Sequence, residues 1–104
     1  MQLLVTLALL FQAINPFVTV TPTENLPLHN GVSAFGWTSC QNGVSTIQIW
    51  RYSGVSTLLH EAAHAYDCLD NNIMDGSPLP WLCQPSLECA ETYALYVQYN
   101  FQYK

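Results

Sequence analysis

Hydrophobic residues in the first half of the chain follow the two-residue period of β-strands. The stretch "VSTIQIW" (residues 44–50) places Ile47 and Ile49 on one face and polar side chains on the other, which is the alternation of a half-buried strand. It follows "VSAFGWTSC", and "QNG" lies between the two segments. Asn-Gly is the dipeptide that two-residue hairpin turns prefer. The pattern therefore predicts a β-hairpin over residues 32–50.

Two further apolar segments precede this hairpin. "LLVTLALLF" (residues 3–11) has the length of a signal-peptide core, but no basic residue precedes it and no A-x-A cleavage site follows. It is too short to span a bilayer. "FVTVT" (residues 17–21) continues as a β-branched strand, followed by the turn-rich "TPTENLPLHNG". Two interpretations of residues 1–20 stay open: a signal peptide, or strands of the core.

The second half of the chain predicts two helices. Ser53 or Ser56 can cap a helix that runs to about Leu69. Residues 70–81, "DNNIMDGSPLPW", predict a loop. The segment "PSLECAETYALYVQYNF" then predicts a final helix that begins at Pro85 and Ser86. Its expected packing positions are Leu87, Ala90, Ala94 and Val97. Strands followed by helices predict a single α+β domain over residues 1–104, with a small and mainly antiparallel sheet.

Charged residues are scarce and mostly acidic. The 104 residues include 2 Lys+Arg and 7 Asp+Glu, for a net charge of −5. A chain without a basic patch is not expected to bind nucleic acid or anionic membranes. Six of the seven acids lie in the C-terminal half, beside two of the three histidines, as expected for acids gathered around a site. They are Glu61, Asp67, Asp70, Asp75, Glu88 and Glu91.

An even number of cysteines in a short chain predicts disulfides and a secreted or extracellular setting. The four residues are Cys40, Cys68, Cys83 and Cys89. Of the three possible pairings we favour Cys68–Cys83 with Cys40–Cys89, because the first would close the loop between the two helices. The alternative is a cysteine zinc site, but the chain contains no C-x-x-C pair.

The strongest chemical signal is "HEAAHAYD" (residues 60–67). On a helix, His60 and His64 lie on one face and can bind one metal ion, with Glu61 beside them. Zinc lowers the pKa of a water that it binds to about 7, and Glu61 is placed to accept that water's proton. Asp67 is predicted to hold the second ring nitrogen of a ligand histidine. The alternative is a pair of surface histidines on an amphipathic helix.

Three acids are candidates for the third ligand. Asp70 falls where H-E-x-x-H-x-x-G-x-x-H chains place theirs, although Met74 follows too soon for the Met-turn of such chains. Glu88 and Glu91 lie one helical turn apart on the final helix, where Glu88 also suits the positive end of the helix dipole. The residues alone leave all three candidates open. His29, in the turn-rich stretch, is expected to be a surface residue.

Two segments resemble gluzincin zinc metallopeptidases of the anthrax lethal factor type. "HEAAHAYD" is similar to their H-E-x-x-H-A-x-D run, and "ETYALYV" (residues 91–97) is similar to the E-[aromatic]-[aromatic]-A segment of a later helix. The resemblance implies a zincin-like domain in which Glu61 is the general base and Asp67 a supporting acid. It implies that Zn²⁺ is bound by His60, His64 and Glu91. It also implies that extended substrate lies along "VSTIQIW".

The chain departs from this family pattern at two positions. Thr92 stands where an aromatic residue is usual, and Gln84 stands where such enzymes have a tyrosine that stabilises the oxyanion. The residue that stabilises the transition state is therefore unassigned. The sequence predicts a zinc-dependent endopeptidase acting on a peptide or protein substrate. One alternative is a non-catalytic zinc-bearing structural or binding module of a larger assembly, and another is a metal-free interaction domain held by disulfides.

Overall fold

The computed structural model describes Leu10 and residues 16–102. Apart from Leu10, the segment at residues 3–11 lies outside the described residues. The structure therefore does not test whether this segment is a signal peptide or a core strand. In chain order the elements are β1 (Val18–Thr23), β2 (Leu28–His29), β3 (Val32–Ser33), β4 (Gly36–Gln41), β5 (Val44–Trp50), α1 (Val55–Asn71) and α2 (Leu87–Gln102). The order of strands before helices confirms the predicted α+β class.

The main sheet has three strands in the order β1-β5-β4. The β4–β5 pair is the predicted antiparallel hairpin, and β1 joins the other side of β5 in parallel. A second, two-stranded antiparallel sheet is formed by β2 and β3. Two of the three pairings are thus antiparallel, and the parallel pairing of β1 was not predicted.

The turn of the main hairpin is formed by Asn42 and Gly43, whose φ angles are 53° and 76°. Positive φ at both positions is the requirement of a type I′ turn, which Asn-Gly satisfies with little strain. The turn fixes the register, so that Ile47 and Ile49 of β5 both point into the core with 0% exposure. The predicted alternation of this strand is confirmed.

The helices form two further layers, with α1 between the sheet and α2. One face of α1 packs Leu58 and Ala65 against Val18, Val20 and the two isoleucines of β5. The opposite face contributes Ala63 to a second cluster with Tyr93 and Ala94 of α2. The sheet and α2 can approach α1 closely from opposite sides because the residues at these contacts include small alanines. As a result, α1 is buried on both faces.

The helix ends differ in part from the prediction. Neither Ser53 nor Ser56 caps α1: its N-cap is Gly54, with no side-chain cap. At the start of α2, which was predicted to begin at Pro85 and Ser86, the Cys89 backbone N–H donates to Ser86 Oγ at 2.9 Å, as in an N-cap. Ala90 and Ala94 are buried, but Leu87 is 86% exposed and does not pack in the core as predicted.

The predicted disulfide pairing is wrong. The structure joins Cys40 to Cys68 and Cys83 to Cys89, with Cα–Cα distances of 5.6 and 5.7 Å. Cys40 shares a face of β4 with Thr38 because side chains alternate along a strand, and Thr38 contacts α1. Cys40 is therefore directed at α1 and Cys68. Cys83 then pairs with Cys89, six positions further along the chain.

Candidate metal centre

The structure brings three of the predicted ligands together where α1 crosses α2. Glu91 Oε1 lies 2.9 Å from His60 Nε2, and Glu91 Oε2 lies 3.3 Å from His64 Nε2. One ligand atom from each of the three residues lies within 4.8 Å of the others. The histidine side chains are 16% and 13% exposed, whereas that of Glu91 is 57% exposed. The group therefore opens to solvent on the α2 side.

Gln98 orients the first histidine of this group. Its Oε1 lies 2.9 Å from His60 Nδ1, so Nδ1 is occupied and Nε2 faces Glu91. Metal-binding histidines usually donate their second ring N–H to such a partner, which fixes the tautomer. This role of Gln98 was not predicted from the sequence. The available signal was that Gln98 follows Glu91 by seven residues and so shares its helical face.

The second histidine has a different environment. His64 Nδ1 is buried and, within the described residues, has no hydrogen-bond partner. Burial lowers the pKa of His64 below its ordinary value, although the neighbouring carboxylates of Glu61 and Glu91 act in the opposite direction. Burial thus favours the neutral imidazole, which is the form that binds metal ions.

Asp67 does not hold a ligand histidine, contrary to the prediction. Its Oδ2 accepts a hydrogen bond from the Gly76 backbone N–H at 2.7 Å, and its Oδ1 is buried without a partner in the described part of the chain. The carboxylate therefore ties the loop after α1 to the helix. Burial raises the pKa of Asp67 above its ordinary value, with the Asp75 carboxylate adding to the effect and the Gly76 hydrogen bond opposing it.

Glu61 is held by the neighbouring strand. It is 7% exposed, and its Oε1 lies 2.7 Å from Thr38 Oγ1 of β4. The Thr38 hydroxyl also lies 3.1 Å from the Glu61 backbone carbonyl oxygen. Gly36 permits this approach, because a Cβ at that position would lie 3.2 Å from Glu61 Cγ. Neither Gly36 nor Thr38 was predicted from the sequence to belong to the site.

The other two ligand candidates lie outside the group. Asp70 is exposed and its Oδ2 accepts a hydrogen bond from Ser77 Oγ at 2.8 Å. Glu88 is exposed at the start of α2. Neither belongs to the cluster that could hold a metal ion. His29 is exposed as expected.

A cleft of about 380 Å³ opens in front of the group. Its lining includes both α1 histidines, Glu61 and Glu91, and it is completed by His29, Gly36, Trp37, Thr38, Met74, Leu87 and Ala90. In the described sheet β4 is an edge strand and β5 is central. The expectation that substrate lies along "VSTIQIW" is therefore wrong, because both edges of that strand are already paired. The strand beside the cleft is β4.

The donor set fits a divalent transition metal. Two imidazole nitrogens and one carboxylate are the ligands of many zinc sites, and a set of three leaves a further coordination position. The Gln98 contact at His60 Nδ1 and the burial that lowers the pKa of His64 both favour metal binding through neutral imidazoles. The group could therefore hold a metal ion.

No protein-family model, curated protein or solved structure matches this chain. None of the helices in the part of the chain that the structure describes has the length and apolar character needed to cross a membrane.

Proposed function

We propose that this chain is a zinc-dependent peptidase that hydrolyses peptide bonds in a peptide or protein substrate. The observation that carries the proposal is that Glu61 lies on the same cleft as the three grouped ligands. A carboxylate that is not part of the ligand group but lies beside it is what a water-activating base requires. Three ligands rather than four are typical of catalytic zinc sites.

Each residue then has a defined part in the reaction. His60, His64 and Glu91 would hold Zn²⁺, which when bound polarises a carbonyl and lowers the pKa of a water to about 7. Glu61 accepts a proton from the attacking water and passes it to the nitrogen of the leaving amine. Because the Thr38 hydroxyl fixes Oε1 of Glu61, we assign the proton transfer to Oε2.

The walls of the cleft suggest how a peptide is bound. An extended peptide can add to the edge of a sheet through main-chain hydrogen bonds, and β4 is the edge strand on this cleft. Trp37, Met74 and Leu87 give the walls apolar surface. We therefore infer an extended substrate with apolar side chains near the cleaved bond. The two disulfides fit a secreted or extracellular enzyme.

The metal site is tested by calorimetric zinc titration of the wild type, Glu91→Ala and the control Glu88→Ala. Glu88 is a second carboxylate on the same helix that lies outside the ligand group. We expect one tight site in the wild type and the control. Since Glu91 is a proposed ligand, its removal should cost more than the roughly 10- to 100-fold that loss of an outer partner costs. Folded wild-type protein that binds no zinc would contradict the proposal.

Catalysis is tested by peptide hydrolysis with zinc-loaded Glu61→Gln. General-base catalysis contributes about 10²- to 10⁴-fold, so we expect a loss in kcat of that order with zinc affinity retained. Full hydrolysis by this variant would exclude Glu61 as the base. Tight zinc binding by a wild type that cleaves no peptide would instead support the non-catalytic zinc-bearing module.

A further inference from the structure

His29 is the chemically active side chain of the cleft that the proposed reaction does not use. It belongs to the small hairpin of β2 and β3, whose two-residue turn is formed by Asn30 and Gly31. This hairpin lies outside the main sheet, yet it places His29 on the wall of the same cleft as Glu61 and Glu91. An exposed histidine that lines a cleft with a base and a metal-binding group is available to substrate.

The imidazole of His29 is held in position by stacking. Its ring lies 4.7 Å from the Trp37 ring, centroid to centroid, with an interplanar angle of 30°. The indole is itself fixed, because Trp37 Nε1–H donates to Gln48 Oε1 at 3.1 Å. The Asn30 side-chain amide lies 3.3 Å from His29 Nε2. Although His29 is exposed, its ring is thus held in place by the Trp37 indole and the Asn30 amide.

The other side-chain donors of the cleft outside the ligand group are already engaged. The Trp37 indole N–H donates to Gln48, and the Thr38 hydroxyl lies against Glu61. Within the described residues, the remaining lining side chains are carboxylate, aliphatic or thioether groups, or glycine, and no tyrosine lines the cleft. The ring of His29 has two nitrogens, of which only Nε2 lies near Asn30.

We propose that His29 donates a hydrogen bond to the carbonyl oxygen of the cleaved peptide as that oxygen gains negative charge. The inference rests on the proposed peptidase function. In the addition step the water oxygen bonds to the carbonyl carbon, and the C=O π pair moves to the oxygen. Glu61 takes the water proton, whereas His29 keeps its own proton throughout. A hydrogen bond from a preorganised donor to this oxygen strengthens as the negative charge develops. His29 would thus stabilise the oxyanion in a cleft whose described lining contains no tyrosine.

The experiment compares His29→Phe and His29→Gln in the zinc-loaded 104-residue chain. Phenylalanine keeps a ring to stack on Trp37 but has no donor, and glutamine restores an N–H donor without the ring. Leu28→Ala is the control, because Leu28 is exposed on the same strand and does not line the cleft. The probe is N-phosphoryl-leucinamide, whose tetrahedral anion resembles the addition product. Acetohydroxamate serves as a second probe that binds the metal without that anion.

We expect His29→Phe to bind N-phosphoryl-leucinamide at least about tenfold more weakly, because a hydrogen bond to a charged group is lost. Zinc and acetohydroxamate affinities should stay unchanged, and glutamine should recover most of the phosphoramidate affinity. Where peptide hydrolysis is measured, kcat should fall about 10²-fold with little change in KM.

Unchanged phosphoramidate binding by His29→Phe would overturn the inference while leaving the proposed function intact. Weakened zinc binding by His29→Phe would also overturn it, since His29 would then act on the metal. A zinc-loaded wild type that does not bind the phosphoramidate overturns it too. A wild type that binds no zinc overturns the inference and the proposed function together.

Discussion

Replacing Gln98 by leucine removes one acceptor from the candidate metal centre and changes little else. Leucine has a similar volume, so the packing of α2 is retained. The change deletes the Oε1 atom that lies 2.9 Å from His60 Nδ1. In a metal-bound state, His60 Nε2 would be the ligand atom and Nδ1 would carry the proton. The variant therefore leaves a partly buried N–H without its partner.

The size of the effect follows from this geometry. A buried donor left unpaired costs about 1–3 kcal/mol, and loss of an outer-shell partner weakens metal binding about 10- to 100-fold. Zinc at 100 times the wild-type Kd stabilises the folded state by about 2.7 kcal/mol. A site that is tenfold weaker keeps about 1.4 kcal/mol of this at the same free zinc. The difference of about 1.3 kcal/mol corresponds to roughly 5–10 °C in Tm for a domain near 100 residues.

Zinc affinity is measured by competition with a chromophoric chelator, and Tm is measured with zinc and with excess chelator. The matched control is Asn100→Leu, the same chemical change on α2, because the Asn100 amide donates to the Tyr96 carbonyl within the helix. We expect Gln98→Leu to lose zinc affinity, and to gain less Tm than the wild type when zinc replaces the chelator. Wild-type zinc affinity in folded Gln98→Leu would show that His60 is oriented without Gln98.

Three further predictions concern the residues around the centre. Gly76→Ala should destabilise the fold by at least about 2 kcal/mol in a denaturant titration, because φ is +80° and the new Cβ would lie 2.7 Å from the Cys89 backbone oxygen. A change below about 0.5 kcal/mol would contradict this. Thr38→Val should lower kcat about tenfold and spare zinc affinity, since it removes a hydrogen bond to the Glu61 carboxylate; an unchanged kcat would exclude that positioning role. Asp67→Asn should change the pH dependence of stability. Because burial raises the folded pKa of Asp67 above the unfolded value of 3.8, the proton stabilises the folded state. The wild-type minus Asp67→Asn difference in unfolding free energy should therefore be most favourable to the wild type below about pH 3.8 and decline as pH rises. The opposite slope in urea titrations across this range would refute the assignment.

The local features of the fold could be predicted from the sequence because their causes are local. Asn42-Gly43 specifies a tight turn by backbone preference alone, and Ile47 and Ile49 specify the buried face of β5 by alternation. The spacing of His60 and His64 requires only that the segment be helical. The structure shows each of these features as expected.

The features that the sequence did not reveal depend on contacts between distant segments. The pairing of Cys40 with Cys68 depends on which face of β4 packs against α1. The local sequence of β4 does not determine which face this is. The parallel pairing of β1 with β5 joins residues more than twenty positions apart. The role of Gln98 depends on the crossing of α2 over α1, because its partner His60 is on the other helix.

The positions of the two disulfides indicate which contact of the fold a bound metal ion would stabilise. Cys40–Cys68 joins α1 to the sheet, and Cys83–Cys89 joins the first turn of α2 to the preceding loop. Neither disulfide joins α1 to α2, which meet through Ala63, Tyr93 and Ala94. Leu79, Leu82 and Val97 pack against the same cluster, so this contact is apolar and carries no covalent cross-link. A metal ion held by ligands from both helices would tie them together at this point, since binding to the folded state alone stabilises it. Removal of zinc is therefore expected to weaken the docking of α2 on α1 as well as to disrupt the proposed catalytic site.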